Sequence, residues 1–398
     1  MRIAIIGGGP AGLMAAEVLS ARGLGVDIYD RKPSVGRKFL MAGRGGLNLT
    51  HSEDMDAFVA RYGAKAPVLA PLVHAFSPQA LRQWCEGLGE KTFVGSSGRV
   101  FPESFKASPL LRAWLARLEK QGVIFHLNHD WQGWDGDALV FGTVDGTVRV
   151  VADAALLALG GASWPRLGSD GSWVHILYDA GVVITPLQPA NCGFGVAWSD
   201  VSKNKFAGQP LKSIVASTDG VSVAGEMVVS AQGLEGGAIY ALSQYLRDGS
   251  RVLTIDLKPD LDLAAVTARL SKSRGGDSLT NHLRKTLGLP PVAIGLLMER
   301  PDRAQMGTYA PETLAGLIKY YQITVSGPLS MDRAISTAGG IAFDALDANA
   351  MLRVKPGVFA AGEMLDWEAP TGGYLLQASF ATGVYAARGI MAWLKIDV

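Results

Sequence analysis

The chain has 398 residues, of which 48% are hydrophobic and 18% charged, a balance typical of a well-buried α/β enzyme with two or three domains. Its formal net charge of +1 gives no electrostatic support for a nucleic-acid or membrane partner, so we expect a small-molecule substrate. The only cysteines, Cys85 and Cys192, exclude a disulfide framework and a C-x-x-C redox pair, and they favour a cytoplasmic location. Met1 leads straight into the first predicted strand, so we expect no signal peptide; the sequence leaves the oligomeric state open.

The first thirty residues predict a strand, a glycine turn, a helix and a second strand. Residues 2–6 are apolar, residues 7–12 are rich in glycine, and an apolar-periodic run over 13–19 predicts the helix. Residues 26–30 then predict the second strand. The spacing G-x-G-x-x-G in this context predicts a dinucleotide site, and a purely structural glycine turn is the alternative.

Each residue of the glycine turn has a defined role in such a site. Gly7 permits the tight turn, Gly9 lets the backbone approach a pyrophosphate, and Gly12 lets the helix pack closely on the strand. Pro10 and Ala11 open the helix, whose N-terminus offers free N–H groups and a partial positive charge to the phosphates.

The end of the second strand bears on which dinucleotide is bound. Asp30 stands where an acid can bond the ribose hydroxyls. Arg31 beside it offers a contact for the 2′-phosphate of NADP, but we favour a solvated surface arginine. FAD and NAD(P) both stay open at this point in the chain.

Residues 31–51 contain several glycines and a proline that interrupt any periodicity, so we predict a loop. Its basic residues Lys38 and Arg44 are candidates to reach a phosphate or a carboxylate substrate. A solvated basic side chain is the alternative for each of them.

The chain resembles the HI0933/YhiN-like family of flavoproteins through the glycine turn and the segment GRKFLMAGRGGLNLTHSE at 36–53. In many members this loop is S-G-G-G-R-C-N-L-T-N; here Arg44 replaces a glycine and Gly46-Leu47 replace Arg-Cys, which removes a thiol. The resemblance implies bound FAD, with Asn48 near the isoalloxazine. The catalytic residues stay unknown, and Arg44 and His51 are our candidates for contact with a polar substrate.

Residues 53–120 are mostly helical in pattern and are interrupted at 93–102 by two predicted short strands around a turn, where Arg99 is a possible substrate-side cation. His126 and His129 suggest a metal site, but the sequence places no third ligand to complete one. We therefore expect packed or surface histidines and no bound metal.

The next segments predict a return to the dinucleotide domain and then an insertion. The apolar run 154–159 predicts a buried parallel strand, and Gly160-Gly161 after it should lie against the cofactor. Short β-forming segments follow up to residue 257, and a helical pattern takes over from about residue 260.

The C-terminal segment carries the second strong signal. Residues 358–361 form an apolar strand, and the Gly362-Glu363 pair after it can place a carboxylate on a ribityl or ribose hydroxyl. Gly372-Gly373 then leads into a helix whose positive N-terminus can stabilise negative charge on a reduced flavin. This arrangement favours FAD over NAD(P).

We predict an α/β fold: a Rossmann-like FAD-binding domain with an inserted small β-barrel-like subdomain and a helical insertion. The predicted parts are 1–191 (FAD-binding domain, first part), 192–258 (β subdomain), 259–320 (helical insertion), 321–334 (return strand) and 335–398 (FAD-binding domain, C-terminal part). The residues that we expect to hold FAD are Gly7, Gly9, Pro10, Ala11, Gly12, Asp30, Arg31, Lys38, Asn48, Gly160, Gly161, Gly362, Glu363, Gly372, Gly373, Tyr374 and Leu375.

The resemblance implies an FAD-dependent oxidoreductase that transfers a hydride and reduces an activated C=C bond in a small organic molecule. No second G-x-G-x-x-G follows a strand, so NAD(P)H is expected only as an external electron donor. The alternatives are a non-catalytic flavin-binding redox sensor and an NAD(P)-dependent dehydrogenase with a single Rossmann domain. A tRNA-modifying flavoprotein is a further alternative, and the net charge argues against it.

Overall fold

The computed structural model describes residues 1–396 as two compact units. The first contains Met1–Gln188 and the segment that begins at Ser336, and the second contains Pro189–Ile335. Residues 397 and 398, which we assigned to the C-terminal part of the FAD-binding domain, lie outside the described residues. Over the described chain, no helix is both long enough and apolar enough to cross a membrane.

The first unit begins with the predicted strand, turn and helix. Pro10 occupies the first turn of that helix, where its missing N–H removes no hydrogen bond. Up to residue 190 the elements are β1 (Arg2–Ile6), α1 (Pro10–Ser20), β2 (Gly25–Asp30), α2 (Arg37–Ala42), β3 (Thr50–His51), α3 (Met55–Ala60), α4 (Ala66–Ala75), α5 (Pro78–Gly87), β4 (Thr92–Val94), β5 (Arg99–Pro102), α6 (Ala107–Lys120), β6 (Ile124–Leu127), β7 (Asp130–Asp135), β8 (Ala138–Thr143), β9 (Gly146–Val150), β10 (Ala154–Leu157), α7 (Trp173–Asp179) and β11 (Ile184–Ala190).

The second unit is an antiparallel sheet with helices inserted before its last strand. Its elements are β12 (Phe194–Gly195), α8 (Asp200–Phe206), β13 (Gln209–Thr218), β14 (Val221–Val229), β15 (Gly233–Glu235), α9 (Gly237–Ala241), α10 (Ser243–Asp248), β16 (Val252–Asp256), α11 (Leu263–Leu270), α12 (Leu279–Leu287), α13 (Pro291–Met298), α14 (Pro311–Lys319) and β17 (Tyr321–Thr324). The strand order is β12-β15-β14-β13-β16-β17. Backbone hydrogen bonds from residues 193–195 to residues 326–329 join the two edges of this sheet, which gives it a barrel-like form.

The last segment of the chain returns to the first unit. Its elements are β18 (Ser336–Ile341), β19 (Val358–Ala360) and α15 (Tyr374–Trp393). Strand β19 joins a parallel sheet in the order β19-β10-β1-β2-β6, and helix α15 packs on α1. A Cβ on Gly383 would lie 2.4 Å from the Ala11 carbonyl oxygen, so only glycine allows the two helices to approach this closely. The two ends of the chain therefore build one compact unit.

One local prediction was incomplete. The stretch 31–51 is not a continuous loop, because Gly36 adopts φ 67° and starts the short helix α2, which buries Phe39 between Trp114 and Phe380. Strand β7 contains aspartate and glycine residues, which disfavour strands, and it is nevertheless paired with β8 in an antiparallel sheet.

Candidate flavin and substrate site

In the glycine turn after β1, two positions leave no space for a side chain and a third borders open space. A Cβ on Gly7 would lie 2.3 Å from the Ala158 carbonyl oxygen, and one on Gly12 would lie 2.1 Å from the Gly7 carbonyl oxygen. A Cβ on Gly9 would meet no atom within 4 Å, and Gly9 directly precedes the first turn of α1. The turn therefore leaves room for a phosphate at the N–H end of the helix, which fits the pyrophosphate of FAD.

Asp30 fastens the glycine turn to the end of β2. Its Oδ2 accepts a hydrogen bond from the Gly8 N–H at 2.9 Å, and its Oδ1 accepts one from the Lys32 N–H at 2.9 Å. Burial raises the pKa of Asp30 more than these two donors lower it. A carboxylate has lone pairs beyond these two bonds, so Asp30 still fits a ribose hydroxyl.

Arg31 is not the solvated side chain that we favoured. Its guanidinium forms ion pairs with Asp130 at 3.1 Å and with Asp170 at 2.6 Å, and only 28% of the side chain is exposed. A 2′-phosphate at this position would have to compete with two carboxylates. The contacts of Arg31 therefore argue against NADP.

Lys38, Gly161 and Glu363, three of the predicted cofactor contacts, meet in one cluster. Lys38 Nζ lies 2.5 Å from Glu363 Oε2 and donates to Ser163 Oγ at 2.6 Å. The backbone N–H of Gly161 donates to Glu363 Oε2 at 3.4 Å, and that of Thr337 donates to Oε1 at 3.1 Å. The expected roles need correction. Lys38 is already paired with a carboxylate, so it is not a free cation for phosphate or substrate. The Glu363 carboxylate connects three segments of the chain.

Two more of the predicted glycines have positive φ, and one of them lies against the first helix. Gly160 has φ 71° and Gly362 has φ 85°, both in the left-handed region that favours glycine. A Cβ on Gly362 would lie 2.8 Å from the Cβ of Ala11 at the start of α1. The C-terminal return therefore reaches the same helix end as the glycine turn.

The N-terminus of α15 lies directly on β3. Gly372 and Gly373 have φ 140° and 98°, and a Cβ on Gly373 would lie 2.4 Å from the Thr50 Cα. The N–H groups of the first turn, which includes Tyr374 and Leu375, have no partner within the helix. This end of the helix can therefore stabilise negative charge beside β3.

The side chain of Tyr374 is turned into the protein. Its hydroxyl donates to Glu53 Oε1 at 2.5 Å, its ring packs on Phe58 at 4.8 Å, and it is 4% exposed. We expected Tyr374 beside the flavin ring, and the structure leaves only its backbone N–H for that contact. No sequence pattern connects Tyr374 with Glu53, which lies in the segment that carries the family resemblance.

Glu53 is also held by Arg61, which donates from Nε at 3.2 Å and from Nη2 at 2.7 Å. Burial alone would raise the pKa of Glu53, but the hydrogen bonds from Arg61 and Tyr374 outweigh it and hold the pKa below its ordinary value. Glu53 is therefore an ionised anchor for the start of α15.

His51 is engaged through both ring nitrogens. The Glu53 N–H donates to Nδ1 at 3.1 Å, so Nδ1 carries no proton, and Nε2 then donates to the Ser97 carbonyl oxygen at 3.0 Å. We offered His51 as a contact for substrate, and in the structure both of its ring nitrogens are already hydrogen-bonded within the protein.

Arg44 and Asn48 have polar groups to spare. Arg44 is exposed and forms no ion pair with any residue between 1 and 396. The Asn48 Oδ1 is buried and has no hydrogen-bond partner among the described residues. A buried acceptor without a donor fits a ligand that supplies one, and FAD carries both N–H and O–H donors.

His126 and His129 serve packing. His126 Nε2 lies 2.6 Å from Asp27 Oδ1, and its ring stacks on Tyr29 at 4.5 Å. His129 Nδ1 lies 2.8 Å from the Leu127 carbonyl oxygen. No group of three or more His, Cys, Asp or Glu side chains within residues 1–396 is placed to hold a metal ion.

Comparison with known proteins identifies the family. The model of the HI0933-like protein Rossmann domain matches residues 1–389. The chain belongs to the HI0933-like family. Its fold is the Rossmann-type FAD-binding fold of flavoenzymes, and the family consists of FAD-dependent oxidoreductases.

Among the relatives, the chain is 28% identical to the 3-dehydro-bile acid Δ(4,6)-reductase of Clostridium scindens, with 97% of this chain and 98% of the relative covered. It is 24% identical to the ribosomal RNA dihydrouridine synthase of Escherichia coli, with 98% and 97% covered. The 3-ketosteroid Δ1-dehydrogenase structure from Sterolibacterium denitrificans matches with a TM-score of 0.54 at 12% identity, over 98% of this chain and 99% of that one, which shows the shared fold.

Proposed function

We propose that this protein is an FAD-dependent reductase of a carbon–carbon double bond conjugated to a carbonyl group in a small organic molecule. The names of the two relatives describe the same bond chemistry on unlike substrates. A Δ(4,6)-reductase saturates a ring double bond of a bile acid, and a dihydrouridine synthase saturates a ring double bond of uridine. The HI0933-like family supports a flavin-dependent reaction.

The observation that carries the proposal is the contact between Gly373 and Thr50. It brings the free N–H groups of α15 to the segment that holds Arg44 and Asn48. The negative charge on a reduced flavin and the charge that develops on an enone oxygen are both stabilised by nearby hydrogen-bond donors and positive charge. In our proposal, the N-terminus of α15 and the loop that carries Arg44 and Asn48 act together at this edge of the FAD-binding domain.

FAD, when bound and reduced by an external NADH or NADPH, would supply a hydride for the carbon β to the carbonyl, and water would supply the proton for the α-carbon. In our proposal the α1 N-terminus at Gly9 holds the pyrophosphate, and Asp30 bonds the ribose. Asn48 accepts a hydrogen bond from the cofactor. Arg44 orients the substrate through its carbonyl or an acidic group, and external NADH or NADPH reduces the enzyme.

The test begins with the absorption spectrum of the purified protein. We expect the yellow colour of bound FAD, bleaching by NADH or NADPH without oxygen, and recovery of the colour when an enone is added. The matched saturated ketone should give no recovery. If no enone reoxidises the reduced protein, the reductase proposal is wrong and a flavin-binding redox sensor becomes the better explanation. If only uridine in RNA reoxidises it, the proposal of a small-molecule substrate is wrong.

A further inference from the structure

Three phenylalanines touch one another beside the small sheet β3-β5-β4. Phe93 and Phe101 are opposite partners across β4 and β5, and Phe105 follows in the turn after β5. Their ring centroids form a triangle with sides of 5.0, 5.5 and 5.9 Å. Phe105 is 48% exposed and the other two are half-buried. This phenylalanine triangle therefore presents an aromatic surface to solvent.

Phe105 is held in a conformation that bulky side chains rarely adopt. Its φ is 57°, in the left-handed region where the Cβ crowds the following carbonyl. A ring that is nearly half exposed recovers little burial from this position, and glycine would fit the backbone better. Backbone strain of this kind is concentrated at binding sites.

The phenylalanine triangle borders the loop that carries Arg44 and Asn48. A Cβ on Gly46 would lie 3.2 Å from Phe105 Cδ1 and 3.6 Å from Phe101 Cε1. The Leu47 N–H donates to the Phe105 carbonyl oxygen at 2.9 Å. The aromatic surface is therefore continuous with the loop that we assign to flavin and substrate.

Basic side chains surround the phenylalanine triangle in sequence. Arg99 is exposed and lies two residues before Phe101, so both side chains point to the same face of β5. Lys106 directly follows Phe105. Arg99, like Arg44, forms no ion pair with a residue of the described chain. Glu103 is the exposed carboxylate of the same turn, and its N–H bonds the Lys91 carbonyl. The balance of charge favours an anionic ligand.

We propose that the phenylalanine triangle binds a fused-ring hydrophobic substrate with an acidic group, and that Phe105 determines this specificity. The proposal rests on the function proposed above, because it places this substrate at the same loop as the flavin. Three rings in mutual contact cover more than one ring of a ligand, so a polycycle gains more apolar contact than a single pyrimidine. Arg44 and Arg99, which form no ion pair within residues 1–396, are available to its acidic group.

The probe is 3-oxo-4-cholenoic acid, a fused-ring enone acid, titrated into the oxidised FAD-loaded protein without reductant. Binding is followed by the change in the flavin spectrum, so no turnover is required. Phe105→Gly should weaken binding at least tenfold, and its melting temperature should equal or exceed that of the wild type because the strain is relieved. Tyr178→Ala removes an aromatic side chain that is 72% exposed on α7, and this control should bind as the wild type does.

Equal affinity in the wild type and Phe105→Gly would overturn the assignment. So would a wild type that binds cyclohexenone as tightly as the probe, or one that binds only a uridine-containing RNA hairpin. The function proposed above is judged separately, by reoxidation of the reduced enzyme. If binding depends on Phe105 but no enone reoxidises the enzyme, the proposed reductase function is contradicted and the proposed binding surface is supported.

Discussion

The two glycine-rich segments of the FAD-binding domain are held in different ways. In the turn after β1, side chains on Gly7 or Gly12 would strike backbone oxygens, and only Gly9 borders open space. In the loop before β3, Arg44 is exposed and the Asn48 amide oxygen has no partner among the described residues. The first segment is shaped by steric fit and offers room for one group. The second retains polar groups that a ligand can use.

The largest expected effect on flavin binding comes from valine at the open position of the first segment. Gly9→Val should raise the dissociation constant for FAD at least about 100-fold, which is roughly 2.7 kcal/mol, because its side chain fills the space beside the α1 N-terminus. The apoprotein should lose only about 1 kcal/mol, since valine is a poor residue before a helix. Flavin content and urea unfolding measure the two quantities.

Gly12→Val is the matched control for Gly9→Val. Its Cβ would lie 2.1 Å from the Gly7 carbonyl oxygen, so the apoprotein itself should lose about 3 kcal/mol. If Gly9→Val keeps its full flavin content, the pyrophosphate does not bind at this turn. If both variants lower the free energy of unfolding of the apoprotein equally, Gly9 does not have more space for a side chain than Gly12.

The second prediction concerns the cluster that ties the C-terminal return to the first half of the domain. Glu363→Gln should lower the free energy of unfolding by about 3 kcal/mol, because Lys38 and two backbone N–H groups lose a charged acceptor. Lys38→Met should cost less, since the carboxylate keeps both backbone donors. Urea unfolding of the apoprotein measures both, and equal stability of Glu363→Gln and wild type would contradict the anchoring role.

Much of the FAD-binding domain could be predicted because its signals are local. The strand, glycine turn and helix at residues 2–20 follow from glycine spacing and apolar periodicity, and each closed glycine has the steric environment that its spacing implied. The return of the chain through β19 and α15 followed from a second strand, glycine and helix series. Regular periods and glycines are visible in a single sequence.

The side-chain pairings could not be predicted because they join distant parts of the chain. Glu53 and Tyr374 are separated by 321 residues, and Lys38 and Glu363 by 325. No local pattern shows that a tyrosine after two glycines turns inward or that both nitrogens of His51 are occupied. The strain at Phe105 was also hidden, since a phenylalanine after a strand gives no signal for a positive φ.

The third prediction tests how the N-terminus of α15 is fixed beside the open loop. Tyr374→Phe should cost about 2 kcal/mol at neutral pH by removing a hydrogen bond to an ionised carboxylate. The pKa of Glu53 is lower in the folded state than its ordinary value of 4.5, so this contribution is present above that pH and is lost as the pH falls through the folded value. The stability gap between wild type and Tyr374→Phe should therefore shrink in acid.

Tyr62→Phe is the control for that pH series. The Tyr62 hydroxyl donates to the Tyr374 carbonyl oxygen at 2.9 Å, and that acceptor does not titrate. Its cost should stay constant between about pH 7 and about pH 4, as measured by urea unfolding. A gap for Tyr374→Phe that is equally constant would show that ionised Glu53 is not the source of the stabilisation.

The smallest expected effect belongs to the exposed cation of the second segment. Arg44→Ala should keep the wild-type flavin content, because Arg44 contacts nothing that shapes the glycine turn. It should raise KM for an enone acid about fivefold, which is about 1 kcal/mol, as expected for an exposed charge pair. Arg112→Ala, which removes an exposed arginine from α6, should leave KM unchanged. If Arg44→Ala also leaves KM unchanged, Arg44 does not contact the substrate. The loop would then contact the substrate only through Asn48 and its backbone, and the two segments would differ only in how deeply they are buried.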